Sequence, residues 1–391
     1  MKATNRREFL KKAALGSAAA VSAGWLWFNG QPLWNGFFIP ASKALGYSGY
    51  AHASRGKEAM FFHKNANRSV NCLLCPHACR LNEGQTGICR VRTNRNGTLF
   101  SMVYGKPCSV NVGPIEKAPI YHFYPGHERL CVATVGCNLR CKYCHNWQIS
   151  QSRPGQVREY DMPPEQIVGE ALRQNLKSIS FTYTEPTVFY EYIYDISKMA
   201  REQGLKTSIV SNGYINPQPL RKLLKHLDAV KIDLKAFNDD FYREIASARL
   251  NPVKQTLEVL RDEGAFFEIV NLVVPGLNDD PGEIKKMCVW IRENLGAETP
   301  IHFSRFSPTY KLTNLSPTPV STLDKAIEIA KDAGLKYVYI GNVPGHRNNS
   351  TFCPGCKQRL VHRMHFSVLE QKIKNGNCAA CGLAIPGIWE T

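Results

Sequence analysis

Gly136-Cys137-Asn138-Leu139-Arg140-Cys141-Lys142-Tyr143-Cys144 follows directly on the apolar run from Leu130 to Val135. The spacing is Cys-x3-Cys-x2-Cys. Four thiolates would close a tetrahedral zinc site or complete the ligand set of an iron–sulfur cubane. Three on a short loop leave one iron of a cubane without a protein ligand, and an open iron can bind a substrate or cofactor. The loop therefore points to chemistry rather than to a structural staple.

Around this loop the chain alternates between short apolar runs and helical patterns. Strands are expected at 130–134, 178–183, 206–211, 229–234, 266–274, 301–306 and 336–340. Helices are expected at 164–175, 188–203, 217–227, 281–295 and 321–333, with further helical pieces up to 263. The first would place Ile167, Val168, Ala171 and Leu172 on one face. The last opens on Ser321-x-x-Asp324 and stops at Gly334. This alternation argues an α/β chain with a parallel sheet, open or closed into a barrel. No G-x-G-x-x-G follows the first strand, which disfavours the dinucleotide-binding version.

Polar residues gather where these strands end: Thr182-Tyr183-Thr184-Glu185-Pro186, Ser211-Asn212-Gly213, Asp233-Leu234-Lys235, Pro275-Gly276-Leu277-Asn278-Asp279 and Gly341-Asn342. In a parallel barrel such ends share one face, where active sites are built. Helix caps also collect Asn, Asp and Ser, and that explains Asn278 and Asp279. It does not explain Glu185 before a proline, or Asp233 and Lys235 flanking a buried leucine. Asp239 and Asp240 read as caps of the next helix. His302 reads equally as a site residue or a core histidine.

The 391 residues are 43% apolar, enough for one large domain with appendages. The net charge of +17 is dispersed. No Lys/Arg run with interleaved aromatics suggests nucleic-acid binding. Fourteen cysteines are present, most of them in Cys-x2-Cys-type groups, which clamp metals better than they form disulfides. Cys353, Cys356, Cys378 and Cys381 form two knuckles that read as a structural zinc ribbon bracing the barrel's C-terminal end, with an auxiliary iron–sulfur cluster as the rival. Cys72, Cys75, Cys79 and Cys89 read as an auxiliary metal site, for which zinc and a second 4Fe–4S cluster both stand. His77 reads as a solvated neighbour of that group. Cys131 lies inside the first strand and reads as buried and unliganded. Cys108 and Cys288 read as packed thiols.

Asn5-Arg6-Arg7-Glu8-Phe9-Leu10-Lys11 precedes a weakly apolar stretch over 13–28. This is similar to a twin-arginine export signal, and it suggests export or membrane attachment, with a cytoplasmic location also open. The stretch is short and rich in Ala and Gly for a span, which needs ~20 strongly apolar residues. An uncleaved anchor is the alternative, and Ala51-His52-Ala53 is a candidate cleavage point. The expected organisation is a signal and linker over 1–53, a cysteine-rich metal segment over 54–126, a barrel core over 127–345 and a ribbon-like tail over 346–391.

From Arg129 to Asn342 the chain resembles radical S-adenosylmethionine enzymes, through the Cys-x3-Cys-x2-Cys loop with Tyr143 before its last cysteine. The resemblance implies a partial (β/α) TIM-like barrel. It also implies that Cys137, Cys141 and Cys144 hold a 4Fe–4S cluster whose open iron chelates S-adenosylmethionine, cleaved after one-electron reduction to a 5′-deoxyadenosyl radical that abstracts hydrogen from a substrate. By the same pattern Glu185 and its neighbours would hydrogen-bond the methionine amine, and Ser211 and Asn212 would lie near the ribose or carboxylate. Asp233 and Lys235 match the Asp-x-Lys of glycyl-radical activating enzymes. A closer resemblance is to the radical enzyme of the AmmeMemoRadiSam system, itself similar to pyruvate formate-lyase activating enzymes. It is carried by Cys72-Leu73-Leu74-Cys75-Pro76-His77-Ala78-Cys79, Gly87-Ile88-Cys89, Tyr183-Thr184-Glu185-Pro186-Thr187, His302-Phe303-Ser304-Arg305-Phe306 and Tyr339-Ile340-Gly341-Asn342-Val343-Pro344-Gly345-His346. The implied partners are a flavodoxin- or ferredoxin-like electron donor and either a Memo-type protein or a glycyl-radical protein. An exported, non-catalytic iron–sulfur carrier is the rival reading, since it suits the signal but leaves an open iron unexplained.

Overall fold

Seven parallel strands form where the apolar runs place them. In the computed structural model, which describes residues 56–389, they are β2 (Glu128–Ala133), β3 (Ser178–Phe181), β4 (Lys206–Ser211), β5 (Ala229–Asp233), β6 (Phe267–Val273), β7 (Ile301–Arg305) and β8 (Val338–Gly341). An eighth strand, β1 (Ser109–Pro114), runs antiparallel along β2. Neighbours in the sheet are neighbours in sequence from β1 to β8. Among the described residues nothing pairs with the outer edges of β1 and β8, so the barrel is partial. The export-type signal lies outside the described residues. Among those residues no helix is long and apolar enough to cross a membrane.

The period-2 alternation of the strands divides the sheet into two chemically different faces. Register puts Cys131, Ser180, Ser208, Lys231 and Glu268 on one face, followed by His302 and Tyr339. The other face carries Val132, Phe181, Ile209, Val230, Ile269 and Ile301, which join the main apolar core. Helices α1 (Pro164–Arg173), α2 (Tyr190–Glu202), α3 (Pro217–Leu224), α4 (Leu250–Asp262), α5 (Pro281–Asn294) and α6 (Val320–Asp332) contribute buried stripes to that same core. The polar face is thus the concave one, and its charges are buried because the sheet curls around them.

Three local expectations are corrected, and one strand lies outside them. Leu172 lies outside the α1 stripe of Ile167, Val168 and Ala171 and is exposed. The Ser321-x-x-Asp324 start is not used, because α6 begins at Val320 with Pro319 in the cap position and no side-chain cap bond. Asn238, not Asp239 or Asp240, caps the next helix, its side chain accepting the Phe241 N–H at 2.7 Å. Asp239 instead accepts the Leu250 N–H at 2.9 Å. β1 was invisible in sequence because Val110 and Val112 are its only large apolar residues and both are half-buried.

Two small β elements flank the barrel. Before it, the strands Phe62–Lys64, Val70–Cys72 and Arg80–Leu81 form one antiparallel sheet, and Lys57–Glu58, Thr98–Ser101 and Arg92–Arg95 another. After it, β9 (Thr351–Phe352), β10 (Arg359–Met364) and β11 (Ser367–Gln371) form a third. This last element does not brace the C-terminal ends of the barrel strands. It packs beneath their N-terminal ends, where Arg363 donates to Thr351 Oγ1 (2.8 Å) and the Tyr121 carbonyl (2.6 Å). Those bonds come from β10 because the polar barrel floor of Glu116, Tyr121 and Tyr339 offers partners that the helical side does not.

Candidate functional site

The loop after β2 carries the three cysteines, and Gly136 sets it up. Gly136 has φ +96°, and a Cβ there would meet Val91 at 2.6 Å and the Cys89 carbonyl at 2.8 Å. Glycine is required on both counts. The three thiols lie close enough to influence one another's ionisation, and burial pushes Cys137 well above the ordinary thiol range and Cys141 to about 11. Loading a metal cluster must therefore displace protons from them. Two donors already address the sulfurs: the Leu139 N–H contacts Cys137 Sγ at 3.3 Å, and Ser150 Oγ lies 3.3 Å from Cys144 Sγ.

Two groups of strand-end residues bracket these thiols. On one side Glu185 is 1% exposed, and its Oε1 accepts from Thr187 N (2.9 Å), Thr187 Oγ1 (2.7 Å) and Ser211 Oγ (2.8 Å). Its Oε2 accepts the Asn212 N–H at 2.8 Å. Burial pushes the Glu185 carboxyl up, against these four bonds. The carboxylate thus ties the end of β3 to the end of β4, and one oxygen keeps a lone pair for a ligand. It also sets Asn212, whose Nδ2 lies 3.8 Å from Cys137 Sγ and donates to Asn138 Oδ1 at 2.8 Å.

On the other side stand Asp233 and Lys235, which act electrostatically on Cys141. Lys235 Nζ donates to Asp233 Oδ2 at 3.3 Å and lies over the Tyr143 ring, 5.9 Å from its centroid. Lys231, from the concave face of β5, holds the other Asp233 oxygen. Burial works to raise the Asp233 carboxyl, but the two lysines hold it below the ordinary range. A cation pair sharing one carboxylate leaves a net positive charge beside the thiols, suited to an anionic group.

The expected candidates Cys137, Cys141, Cys144, Glu185, Ser211, Asn212, Asp233 and Lys235 all lie at this face. Lys231 was missed, although its place two residues before Asp233 on a strand would have found it. Asn138 was missed as well. It donates to the Tyr214 carbonyl at 2.8 Å and contacts the side chain of Cys75, so it joins the loop to the N-terminal cysteine group. His77 is not a solvated neighbour. Its Nε2 pairs with the Asn138 carbonyl at 2.8 Å, and its ring leans on Tyr214. His302 is a core residue, fully buried with Nε2 2.6 Å from Glu268 Oε2 at the barrel floor. Cys131 and Cys288 are buried, and Cys108 is half-buried.

Cys353, Cys356, Cys378 and Cys381 lie apart from this face, with all four sulfurs within 4.8 Å of one another. The pairs Cys353–Cys381 and Cys356–Cys378 are 3.6 and 3.7 Å apart. Tetrahedral coordination at about 2.3 Å requires about 3.8 Å between sulfurs. Backbone N–H groups of Cys381 and Ala380 draw the Cys378 thiol down to about 7. The set fits a four-coordinate thiophilic metal.

A parallel half-barrel with three thiols on one strand-end loop, bracketed by a buried carboxylate, an amide and lysines, is suited to hold a metal cluster with an open position. Residues 131–288 match the Radical SAM superfamily, and a protein of Methanocaldococcus jannaschii, itself uncharacterized, is 45% identical over 328 residues, 83% of this chain and 98% of that one. The chain belongs to the radical SAM superfamily. It is also 28% identical over 169 residues to the pyruvate formate-lyase-activating enzyme of Clostridium pasteurianum, spanning 41% of this chain and 68% of that one. Among solved structures, a radical SAM methyltransferase from Sphaerobacter thermophilus aligns with a TM-score of 0.45 and 16% identity, over 56% of this chain and 67% of the other.

Proposed function

We propose that this chain binds a 4Fe–4S cluster through Cys137, Cys141 and Cys144, cleaves S-adenosylmethionine reductively, and abstracts hydrogen from a protein partner. The carrying observation is the bracketing of the three thiols by Asn212 and Glu185 on one side and Lys235 and Asp233 on the other. Cluster and S-adenosylmethionine would together supply a 5′-deoxyadenosyl radical at this face. The protein's own contribution is position and charge. Glu185 fixes Asn212 and offers one remaining lone pair to an ammonium group. Lys231 and Lys235 hold Asp233 ionised and leave positive charge for a carboxylate. The inner residues of the concave face, such as Lys231 and Glu268, are buried, which would limit water near a radical.

The likeness to a pyruvate formate-lyase-activating enzyme supports a glycyl-radical-activase type of reaction, and the resemblance to the AmmeMemoRadiSam enzyme supports a Memo-type protein as partner. A flavodoxin- or ferredoxin-like donor would supply the electron. Zinc is our reading of the C-terminal four-cysteine site, from its sulfur separations. The test is cleavage itself. Anaerobically reconstituted, reduced protein should release 5′-deoxyadenosine, and Cys141→Ala should release none. No release by fully loaded protein, or undiminished release by the variant, sinks the proposal.

A further inference from the structure

Cys72, Cys75, Cys79 and Cys89 line one small cavity together with Arg92 and Thr187. Three of the thiols are buried. Backbone N–H groups of Leu74, His77 and Val91 address the sulfurs of Cys72, Cys75 and Cys89. Gly87 packs directly against Cys79, whose Sγ lies 3.6 Å from its Cβ position. This is a built ligand site, not a chance gathering of cysteines.

Arg92 shows that the site calls for an acceptor. The side chain is 2% exposed and paired with Glu191 through both terminal nitrogens, at 2.9 and 2.6 Å. The residue lines the cavity, and its buried Nε–H has no hydrogen-bond partner. A buried unpaired donor is costly and asks for an acceptor. Metal-bound thiolates or the bridging sulfides of a cubane would supply that acceptor, and the spread of the sulfurs separates the two. The sulfurs also differ in spread from those of the C-terminal set. Among the described residues, Cys353, Cys356, Cys378 and Cys381 are the one metal-ligating group drawn within 4.8 Å. Neither the N-terminal four nor Cys137, Cys141 and Cys144 are drawn together in that way.

The site is also wired. Cys75 contacts the Asn138 side chain, Asn138 Oδ1 accepts from Asn212 Nδ2 at 2.8 Å, and Asn212 Nδ2 lies 3.8 Å from Cys137 Sγ. Asn138 is the residue next to Cys137 in the chain, so one residue bridges the two cysteine groups. On the other flank Thr187, which lines the cavity, donates to Glu185.

We infer that Cys72, Cys75, Cys79 and Cys89 bind a second, redox-active 4Fe–4S cluster that takes one electron from a low-potential donor protein and passes it through Asn138 to the cluster at Cys137. Each transfer moves one electron: the donor is oxidised as the N-terminal cluster is reduced, and that cluster is reoxidised as the second is reduced. No bond is made or broken. The Arg92 guanidinium and the N–H···S bonds tune its potential. The relay rests on the reading of Cys137, Cys141 and Cys144 given above, but the site does not.

The experiment uses the full chain, reconstituted anaerobically with iron and sulfide. Wild type should bind about eight irons per chain. The triple variant Cys137→Ala/Cys141→Ala/Cys144→Ala should keep about four, with a reducible spin-resonance signal that S-adenosylmethionine does not change. Zinc or no iron in that variant overturns the site, while a wild-type signal that S-adenosylmethionine fails to perturb overturns the catalytic reading instead. Cys72→Ala/Cys79→Ala should lose four irons. It should form 5′-deoxyadenosine at least tenfold more slowly when driven by reduced flavodoxin, yet keep cleavage driven by dithionite. Equal loss with both reductants, or no loss with flavodoxin, overturns the relay.

Discussion

The two four-cysteine groups look alike on paper and are built differently. Of the N-terminal four, Cys72 and Cys89 belong to the main apolar core and Cys79 packs against it, with a buried Arg92–Glu191 pair nearby. Of the C-terminal four, Cys353 and Cys378 belong to a separate small core with Tyr121, Tyr337 and Trp389, under the opposite ends of the strands. Two of the C-terminal thiols, Cys356 and Cys381, are exposed. A closed, half-exposed tetrahedron on a small sheet is how a domain without much core holds itself together. A buried site joined by one residue to the catalytic loop has no such need and is placed to pass something on.

The largest expected effect tests the structural half of this contrast. Metal binding supplies about 10–16 kcal/mol in isolated zinc-finger peptides, and that energy is folding energy. Cys378→Ala should therefore unfold the region from β9 onward, seen as rapid proteolysis there and the loss of one metal per chain. Cys79→Ser should leave that region protected. If both variants leave β9 to β11 protease-resistant, the C-terminal metal is not what holds them.

Second in size is the ion pair under the N-terminal group. Arg92 and Glu191 are 2% and 1% exposed, and Glu191 also accepts the Met60 N–H at 2.9 Å. Removing one partner of such a pair costs about 3–5 kcal/mol, because the other charge stays buried. Glu191→Ala should lower the denaturant midpoint accordingly. Arg92→Leu/Glu191→Leu should recover much of the loss, and equal losses in the single and double variants would show that packing, not charge, dominates.

How much of this contrast could be read beforehand depends on distance along the chain. The catalytic loop was legible because its ligands lie within eight residues, and the strand ends because period and punctuation locate them. Glu185 and Asp233 stood out as polar residues that no cap explains. The bridge was not legible. Asn138 meets Cys75 across 63 positions, and Arg92 meets Glu191 across 99, contacts that no local pattern encodes. The position of the C-terminal element failed for the same reason: its docking bonds run from Arg363 to Tyr121, 242 residues away.

Acidification should act on the barrel floor and spare the N-terminal group. His122 is fully buried, and burial lowers it from 6.5 to about 4. Its Nδ1–H donates to the Pro386 carbonyl at 2.6 Å, so Nε2 accepts from Tyr339 at 2.5 Å. Glu268, His302 and Arg363 also act on it, and Tyr337 and Trp389 pack on the ring. Because the folded value is the lower one, the unfolded chain binds more protons between pH 6.5 and about 4. Stability is complete above that window and declines as the pH falls through it, by roughly 3 kcal/mol at 1.4 kcal/mol per pH unit. Hydrogen exchange at pH 5 should quicken from β9 onward before it does near Cys72, and His122→Asn should flatten the pH dependence.

The smallest effect is the most informative about the bridge. Asn138→Ala removes the bond to the Tyr214 carbonyl and leaves Asn212 Nδ2 without its partner at Oδ1. The carbonyl of residue 138 still meets His77, since that contact is made by the backbone. Two buried bonds lost in this way cost about 1–3 kcal/mol, small enough for the chain to stay folded and loaded. If Asn138 only fills space between two independent metal sites, the variant's effect ends there, and cleavage driven by flavodoxin and by dithionite falls equally. If it carries the electronic contact from Cys75 to Cys137, the flavodoxin-driven rate falls further than the dithionite-driven one, with both clusters still present in the iron count. Unequal loss at equal iron therefore separates a relay from a scaffold without disturbing any ligand.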